Sequence, residues 1–70
     1  MSTMKLTHVF REGDTIQRIG GGSRNGQRGT VVSVNPHNHR VGTLQFETGD
    51  DVAVNLEPQY FAMIRRGRNW

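Results

Sequence analysis

Cysteine is absent from this 70-residue chain, and no apolar run approaches the length of a membrane span. Without thiols, neither a disulfide framework nor a thiolate metal site can form. A transmembrane helix needs ~20 consecutive apolar residues, and the N-terminal sequence lacks the apolar core that a signal peptide contains. We therefore expect a cytoplasmic protein that has no membrane partner.

Large apolar residues are also scarce. Leu, Ile, Val and Phe together number 16 of the 70 residues, which lies just above the range typical of disordered chains. A chain of this size buries only ~60% of the surface that its unfolded form exposes. The composition therefore allows one small domain with a small core.

The net charge is only +3, but it is unevenly distributed. Residues 1–46 carry +4, residues 47–58 carry −4 and residues 59–70 carry +3. Eight of the nine cations are arginine, the residue best suited to bidentate phosphate contacts and to stacking on bases. A small basic chain often binds nucleic acid. The alternative is that these arginines only keep a small domain soluble, and charge alone does not separate the two.

Five short segments alternate apolar and polar residues as strands do. The pattern predicts strands at residues 14–19, 30–34, 40–47, 51–56 and 60–65. Three of these strands have a clear apolar face, formed in chain order by Val32 and Val34, by Leu44 and Phe46, and by Val52, Val54 and Leu56. Strands of this length separated by turn residues indicate an all-β barrel or sandwich.

The segments between these strands carry turn signals. Residues 20–26 form a glycine-rich loop, and Pro36 marks a turn over residues 35–39. Gly49 suits a tight hairpin turn with positive φ. Gly42 inside the third strand predicts a bulge, and residues 56–59 predict a single 3-10 turn before the last strand.

One stretch of the chain, residues 10–41, resembles the KOW motif, a β-hairpin of the SH3-like barrels found in ribosomal proteins and transcription-elongation factors. The matching positions are Gly13 and Asp14 before the first strand, Gly26 in the loop, Gly29 opening the second strand, the apolar Val31, Val32 and Val34, and then Pro36, Arg40 and Val41. The glycine that matches Gly29 is the signature position of that motif, where a side chain would hinder the turn out of the loop. Arg18 departs from the pattern, because that first-strand position is usually apolar.

The resemblance implies an all-β, five-stranded SH3-like barrel with a short 3-10 turn before the last strand. We expect the barrel to span residues 10–66. Residues 1–9 would form a flexible or loosely packed lead-in, and residues 67–70 a basic and aromatic tail.

Two regions are candidates for contact with a partner. In the glycine-rich loop, arginines and exposed amides can follow a phosphate backbone. In the C-terminal tail, arginines and an indole could grip phosphates and stack on a base, although the tail could equally pack, bind protein or remain solvated. The predicted contact residues are Arg18, Arg24, Arg28, Arg40, Arg65, Arg66, Arg68 and Trp70, with loop backbone from Gly20, Gly21, Gly22, Gly26 and Gly29.

Other chemistry-bearing residues do not form a site in the sequence. His8, His37 and His39 lack the further ligands that a zinc site needs, so we expect no metal and no cofactor. The acidic residues 47–58 contain no nucleophile partner, and neighbouring carboxylates on a strand point to opposite faces. The aromatic residues are too few for a cage around a methylated side chain. We therefore predict no catalytic residue.

Two functions remain open. One is a non-enzymatic module that binds nucleic acid, RNA before DNA, or a protein of the transcription or translation machinery. The other is a protein-interaction module, an accessory, regulatory or viral protein that docks on a larger assembly without touching nucleic acid. The chain would be a monomer, or a weak dimer joined through an unpaired strand edge.

Overall fold

The computed structural model describes residues 10–67 and contains five antiparallel strands in one sheet. The strands are β1 (Thr15–Arg18), β2 (Arg28–Val34), β3 (Val41–Phe46), β4 (Asp51–Asn55) and β5 (Phe61–Arg65). Each lies within two residues of its predicted bounds, and residues 10–67 contain no helix. The all-β prediction is confirmed. Accordingly, nothing in this range has the helical length and apolar character that crossing a bilayer requires.

The strand order in the sheet is β4-β3-β2-β1-β5, so β4 and β5 are its two edges. No Cα atom of β4 lies within 8 Å of a Cα atom of β5. The two edges therefore do not pair, and the sheet is not closed into a barrel.

The core lies on one face of this sheet and draws on every strand or its flanks. Val52 and Val54 of β4 are half-buried against it. The predicted inward positions of β3 and β4 are confirmed, because alternate side chains of a strand point to opposite faces. The buried apolar residues are Phe10, Ile16, Val31, Leu44, Phe46, Leu56 and Phe61.

A bulge in β2 overturns the prediction that Val32 and Val34 share a face. The pairing with β3 jumps from Val31 opposite Leu44 to Ser33 opposite Thr43. The extra residue, Val32, is 36% exposed, whereas Val31 is 1% exposed. The prediction was wrong because one inserted residue inverts the alternation of faces beyond it.

A second register shift lies between β1 and β5. Ile16 pairs with Met63 while Thr15 pairs with Arg65, which leaves Ile64 unpaired. Ile64 is 40% exposed. The two exposed large hydrophobic residues of the described chain, Val32 and Ile64, thus both lie at bulges.

Gly42 does not form the predicted bulge, because it pairs regularly with Val34 on one side and Val54 on the other. A Cβ atom there would lie 2.5 Å from the carbonyl oxygen of Ser33 and 2.7 Å from Leu56 Cδ1. The position needs glycine for close packing rather than for a bulge.

The turns before β4 and β5 were predicted with different success. Gly49 has φ of 96° and its N–H donates to the Phe46 carbonyl, as predicted for a tight hairpin. The predicted 3-10 turn over residues 56–59 is instead a turn over residues 58–60. There the Glu57 carbonyl accepts from the N–H groups of both Tyr60 and Phe61.

Candidate functional site

Two arginine-lined surfaces are formed by side chains of this sheet and of the β1–β2 loop. The first, here called the outer groove, has a volume of about 500 Å³ and is lined mainly by Thr15, Arg28, Thr30, Gln45, Glu47 and Arg65. The second, here called the edge cleft, has a volume of about 270 Å³ and is lined mainly by Arg18, Arg24, Phe46, Val52, Val54 and Phe61.

Strand register assembles the outer groove. Thr15 of β1 lies opposite Thr30 of β2 and opposite Arg65 of β5, and Thr30 lies opposite Gln45 of β3. Directly opposed residues share a face of the sheet. Gln45 in turn lies opposite Asp51 of β4, so a polar row crosses all five strands, from the Asp51 carboxylate to Arg65.

Arg28 joins this row from the adjacent register position. It pairs with Gln17, which lies two residues from Thr15 and so on the same face of β1. Arg28 Nε–H donates to Gln17 Oε1 at 3.1 Å, which orients the guanidinium across the face.

The two groove arginines keep their charge available. Arg28 and Arg65 are exposed, and neither has a carboxylate within ion-pair distance among residues 10–67. The exposed Glu47 lines the same groove. The residues that line the groove therefore carry a net formal charge of +1. The guanidinium groups, threonine hydroxyls and amide that line this groove are donors from which phosphate oxygens accept hydrogen bonds.

The edge cleft contains Arg18, the residue that departs from the KOW pattern. Arg18 lies two residues from the buried Ile16 and opposite Phe61, on the core-facing side of β1. Its Cζ atom lies 5.1 Å from the Tyr60 ring centroid and 5.6 Å from that of Phe61. A cation over aromatic faces is favourable, and the aliphatic stem of an arginine can cover apolar surface. These two properties explain why an arginine is tolerated at a position where an apolar residue is usual in the KOW pattern.

Arg24 lies on the other side of the cleft with its charge already balanced. Its Cζ atom is 4.6 Å from the Phe46 ring centroid, and its guanidinium lies 3.1 Å from Asp50 Oδ2. The hydrogen bond from Arg24, followed by one from the Thr48 hydroxyl, lowers the pKa of Asp50. Arg24 is therefore less available to an external anion than Arg28 or Arg65.

The glycine-rich loop that bears Arg24 has a defined set of hydrogen bonds. Gly21 N–H donates to Asn25 Oδ1 at 3.0 Å, and Gly26 N–H donates to the Arg18 carbonyl at 2.8 Å. Its glycines adopt positive φ, which other residues rarely do; these are Gly20, Gly21, Gly22 and Gly26. The loop therefore has a defined backbone conformation.

Part of the loop backbone is nevertheless left without partners at the rim of the cleft. Within residues 10–67, the N–H groups of Gly22, Ser23 and Arg24 have no acceptor. Gly22 and Ser23 are exposed. Three consecutive amides beside two guanidinium groups form an anion-attracting rim.

Gly29 is required for a different reason from the one that the resemblance implies. Its φ is not positive, so the turn out of the loop does not demand glycine. A Cβ atom there would lie 2.6 Å from the Gln45 carbonyl oxygen and 2.9 Å from Leu44 Cγ. The close approach of β3 excludes a side chain.

The remaining predicted contact residues are not brought to these two surfaces. Arg40 is exposed just before β3, and Phe46, which lines both surfaces, lies six residues further along, roughly 20 Å away at the usual rise. Arg66 follows β5 and is exposed. Arg68 and Trp70 lie outside the described residues.

The polar row of Thr15, Thr30 and Gln45 was not predicted as part of a site. Each residue alone is an ordinary outward-facing strand position. Only the cross-strand register reveals the row, and no local sequence signal reports that register.

Metal-binding clusters are not found among residues 10–67, where no three His, Cys, Asp or Glu side chains come together. His37 and His39 are exposed in the turn before β3, and Asn35 Oδ1 accepts from the His37 backbone N–H at 2.8 Å.

Comparisons of the chain with protein-family models, with curated proteins and with solved structures found no match.

Proposed function

We propose that this chain is a small, non-enzymatic module that binds the phosphate backbone of nucleic acid through its outer groove, either as free polymer or within a ribosome or RNA polymerase complex. One observation carries the proposal. Arg28 and Arg65 line the same polar groove, and neither has a carboxylate within ion-pair distance among residues 10–67. Arginine is the side chain that best matches phosphate geometry.

The KOW resemblance supports RNA before DNA. Within this proposal the chain belongs to the SH3-like barrels, with its two sheet edges meeting at one cleft instead of pairing. Two features favour that assignment. The chain has five short antiparallel strands, and its signature glycine, Gly29, lies where a side chain has no room.

The chemistry of the groove predicts binding that is independent of base sequence. Phe46 is the aromatic residue of the groove lining, and it is buried, so it offers no face on which a base can stack. Contacts from arginine, threonine and glutamine to phosphate and sugar position a protein without reading bases.

The test is a fluorescence-anisotropy titration of labelled single-stranded RNA, single-stranded DNA and duplex DNA at about 50 mM and about 200 mM salt. We expect the RNA to bind most tightly and all binding to weaken as salt rises. Arg28→Gln and Arg65→Gln should each weaken binding to all three polymers and reduce the salt slope by about one.

Arg40→Gln is the matched control, because it removes the same charge at the far end of β3. It should change neither affinity nor slope. If it weakens binding as much as Arg28→Gln does, only net charge matters and the outer groove is not the contact surface. An absence of binding at the lower salt concentration would contradict the proposal and favour the alternative, a module that binds protein alone.

A further inference from the structure

We propose that the edge cleft receives one extended peptide strand from a partner protein, with an apolar and an acidic side chain two residues apart on its inward face. The strand would lie between β4 and β5 and hydrogen-bond to the backbone of an edge strand that pairs with only one other strand among residues 10–67. This site shares no arginine with the outer groove and does not depend on nucleic-acid binding.

The separation of the two edges suggests one missing strand. Paired strands lie ~4.8 Å apart, so an inserted strand requires about twice that distance between its neighbours. No Cα atom of β4 comes within 8 Å of β5, yet Val52 and Val54 of β4 and Phe61 of β5 line the same cleft. The gap is too wide for direct pairing, and the unpaired backbone groups of an edge strand are a template for an added strand.

The size and walls of the cleft select an apolar side chain. Its volume of about 270 Å³ is below the ~300–1,000 Å³ of ordinary small-molecule pockets. Val52 and Val54 form one wall and are half-buried, so covering them removes apolar surface from water. One or two aliphatic side chains fill such a space.

The rim of the cleft selects an acidic side chain. Arg18 has no carboxylate within ion-pair distance among residues 10–67. The adjacent N–H groups of Gly22 and Ser23 also have no acceptor there. Arg24, which also lines the cleft, bonds the Asp50 carboxylate at 3.1 Å, so one guanidinium of this cleft already binds an acidic side chain.

A nucleobase is a poorer occupant of this cleft than a peptide. Stacking needs an open aromatic face, but Phe46 and Phe61 are buried and their rings lie beneath the guanidinium groups of Arg24 and Arg18.

The test uses the full ¹⁵N-labelled chain and a short end-blocked peptide in which valine and glutamate lie two residues apart among threonines. Amide shifts should appear at Val52, Ala53 and Val54 and at Gly22 and Ser23, with saturation at millimolar peptide. A peptide with lysine in place of glutamate should bind at least about fivefold more weakly, because a charge-assisted hydrogen bond is lost. A peptide N-methylated along one edge should not bind, because its backbone cannot pair.

Arg18→Gln should weaken the glutamate peptide at least about fivefold and should not weaken the lysine peptide, because it removes a like charge. Arg28→Gln, on the outer groove, is the matched control and should leave peptide binding unchanged while it weakens RNA binding. The two proposals therefore fail separately. The three peptides compared on the wild-type chain keep the test decisive even where Arg18→Gln does not fold.

Equal affinity for the lysine peptide, shifts confined to the outer groove, or no shifts at millimolar peptide would each overturn the proposal. The proposal would also be overturned if sedimentation velocity showed a dimer and hydrogen exchange showed that the β4 amides are protected in it. A second copy of the chain would then occupy the edge.

Discussion

At the scale of single residues, the four arginines that line the two surfaces within residues 10–67 differ in what they contact. Arg28 and Arg65 are exposed on a polar face, and no carboxylate lies within ion-pair distance among the described residues. Arg18 covers aromatic rings, and Arg24 bonds Asp50. Equal charges in the sequence therefore have unequal availability to a partner, since the paired Arg24 must give up Asp50 to bind another anion, whereas Arg18, Arg28 and Arg65 have no carboxylate to give up among residues 10–67.

The Arg24–Asp50 contact predicts a specific pH response. Because the hydrogen bond from Arg24 lowers the pKa of Asp50, the ionised carboxylate favours the folded state. That contribution is present above the ordinary aspartate pKa of ~3.9 and is lost as pH falls through the lower folded value. Arg24→Gln should raise the pKa of Asp50 toward its ordinary value, as measured by carboxyl ¹³C NMR titration.

The Thr48 hydroxyl also donates to Asp50, so we expect Arg24→Gln to recover only part of the shift. Arg40→Gln removes a distant charge and serves as the control. An Asp50 titration that Arg24→Gln leaves unchanged would show that the contact does not persist in solution.

At the scale of the strands, the bulges decide which apolar side chains enter the core. The valine pair Val31 and Val32 looks equivalent in the sequence, and strict alternation through Val34 selects Val32 as the buried one. The shifted register buries Val31 instead. A bulge bends and twists a strand, which helps a small sheet to curve around its core.

Adjacent valines allow a direct test of this register. Val31→Ala should lower the free energy of unfolding by about 2–3 kcal/mol through lost burial and the resulting cavity. Val32→Ala should change it by no more than about 0.5 kcal/mol, as an exposed position does. Urea unfolding with an unchanged m-value measures both. Equal losses, or a larger loss for Val32→Ala, would contradict the bulge.

At the scale of the whole molecule, one buried carboxylate ties the two ends of the described chain together. Asp14 is 0% exposed and accepts the N–H of Arg11 at 2.9 Å and the N–H of Gly67 at 2.6 Å. Gly67 packs so closely on Gly13 that a Cβ atom would lie 2.6 Å from the Gly13 carbonyl carbon. The contact joins the start of β1 to the end of β5, across 53 residues of sequence.

Asp14→Ala should therefore be among the most destabilising single changes. It leaves the part-buried N–H groups of Arg11 and Gly67 without this acceptor, which costs about 2–3 kcal/mol, against a total stability of only ~4–10 kcal/mol for a chain of this length. We expect the midpoint of thermal unfolding to fall by about 10–20 °C.

Asp51→Ala is the matched control, because Asp51 is an exposed aspartate on β4. It should shift the unfolding midpoint by no more than a few degrees. If the two substitutions have equal effects, Asp14 does not hold the chain ends together.

Most of the fold could be predicted from the sequence, because strand and turn signals are local. Apolar alternation located the five strands to within two residues, and Gly49 adopts the positive φ that its hairpin turn predicts. The edge cleft could not be predicted, because the sequence does not show that Arg18 packs on the rings of Tyr60 and Phe61. Those residues are more than 40 positions away in the chain.

The sequence by itself determined that this is a small, cysteine-free, arginine-rich β protein with a glycine-shaped loop, since composition, alternation and turn residues act over a few neighbours. The tertiary structure decided which valine is buried, which arginines share a surface, and that β4 and β5 remain apart. These outcomes depend on register and on the separation of strands distant in sequence, which a one-residue bulge can shift without any change in local pattern.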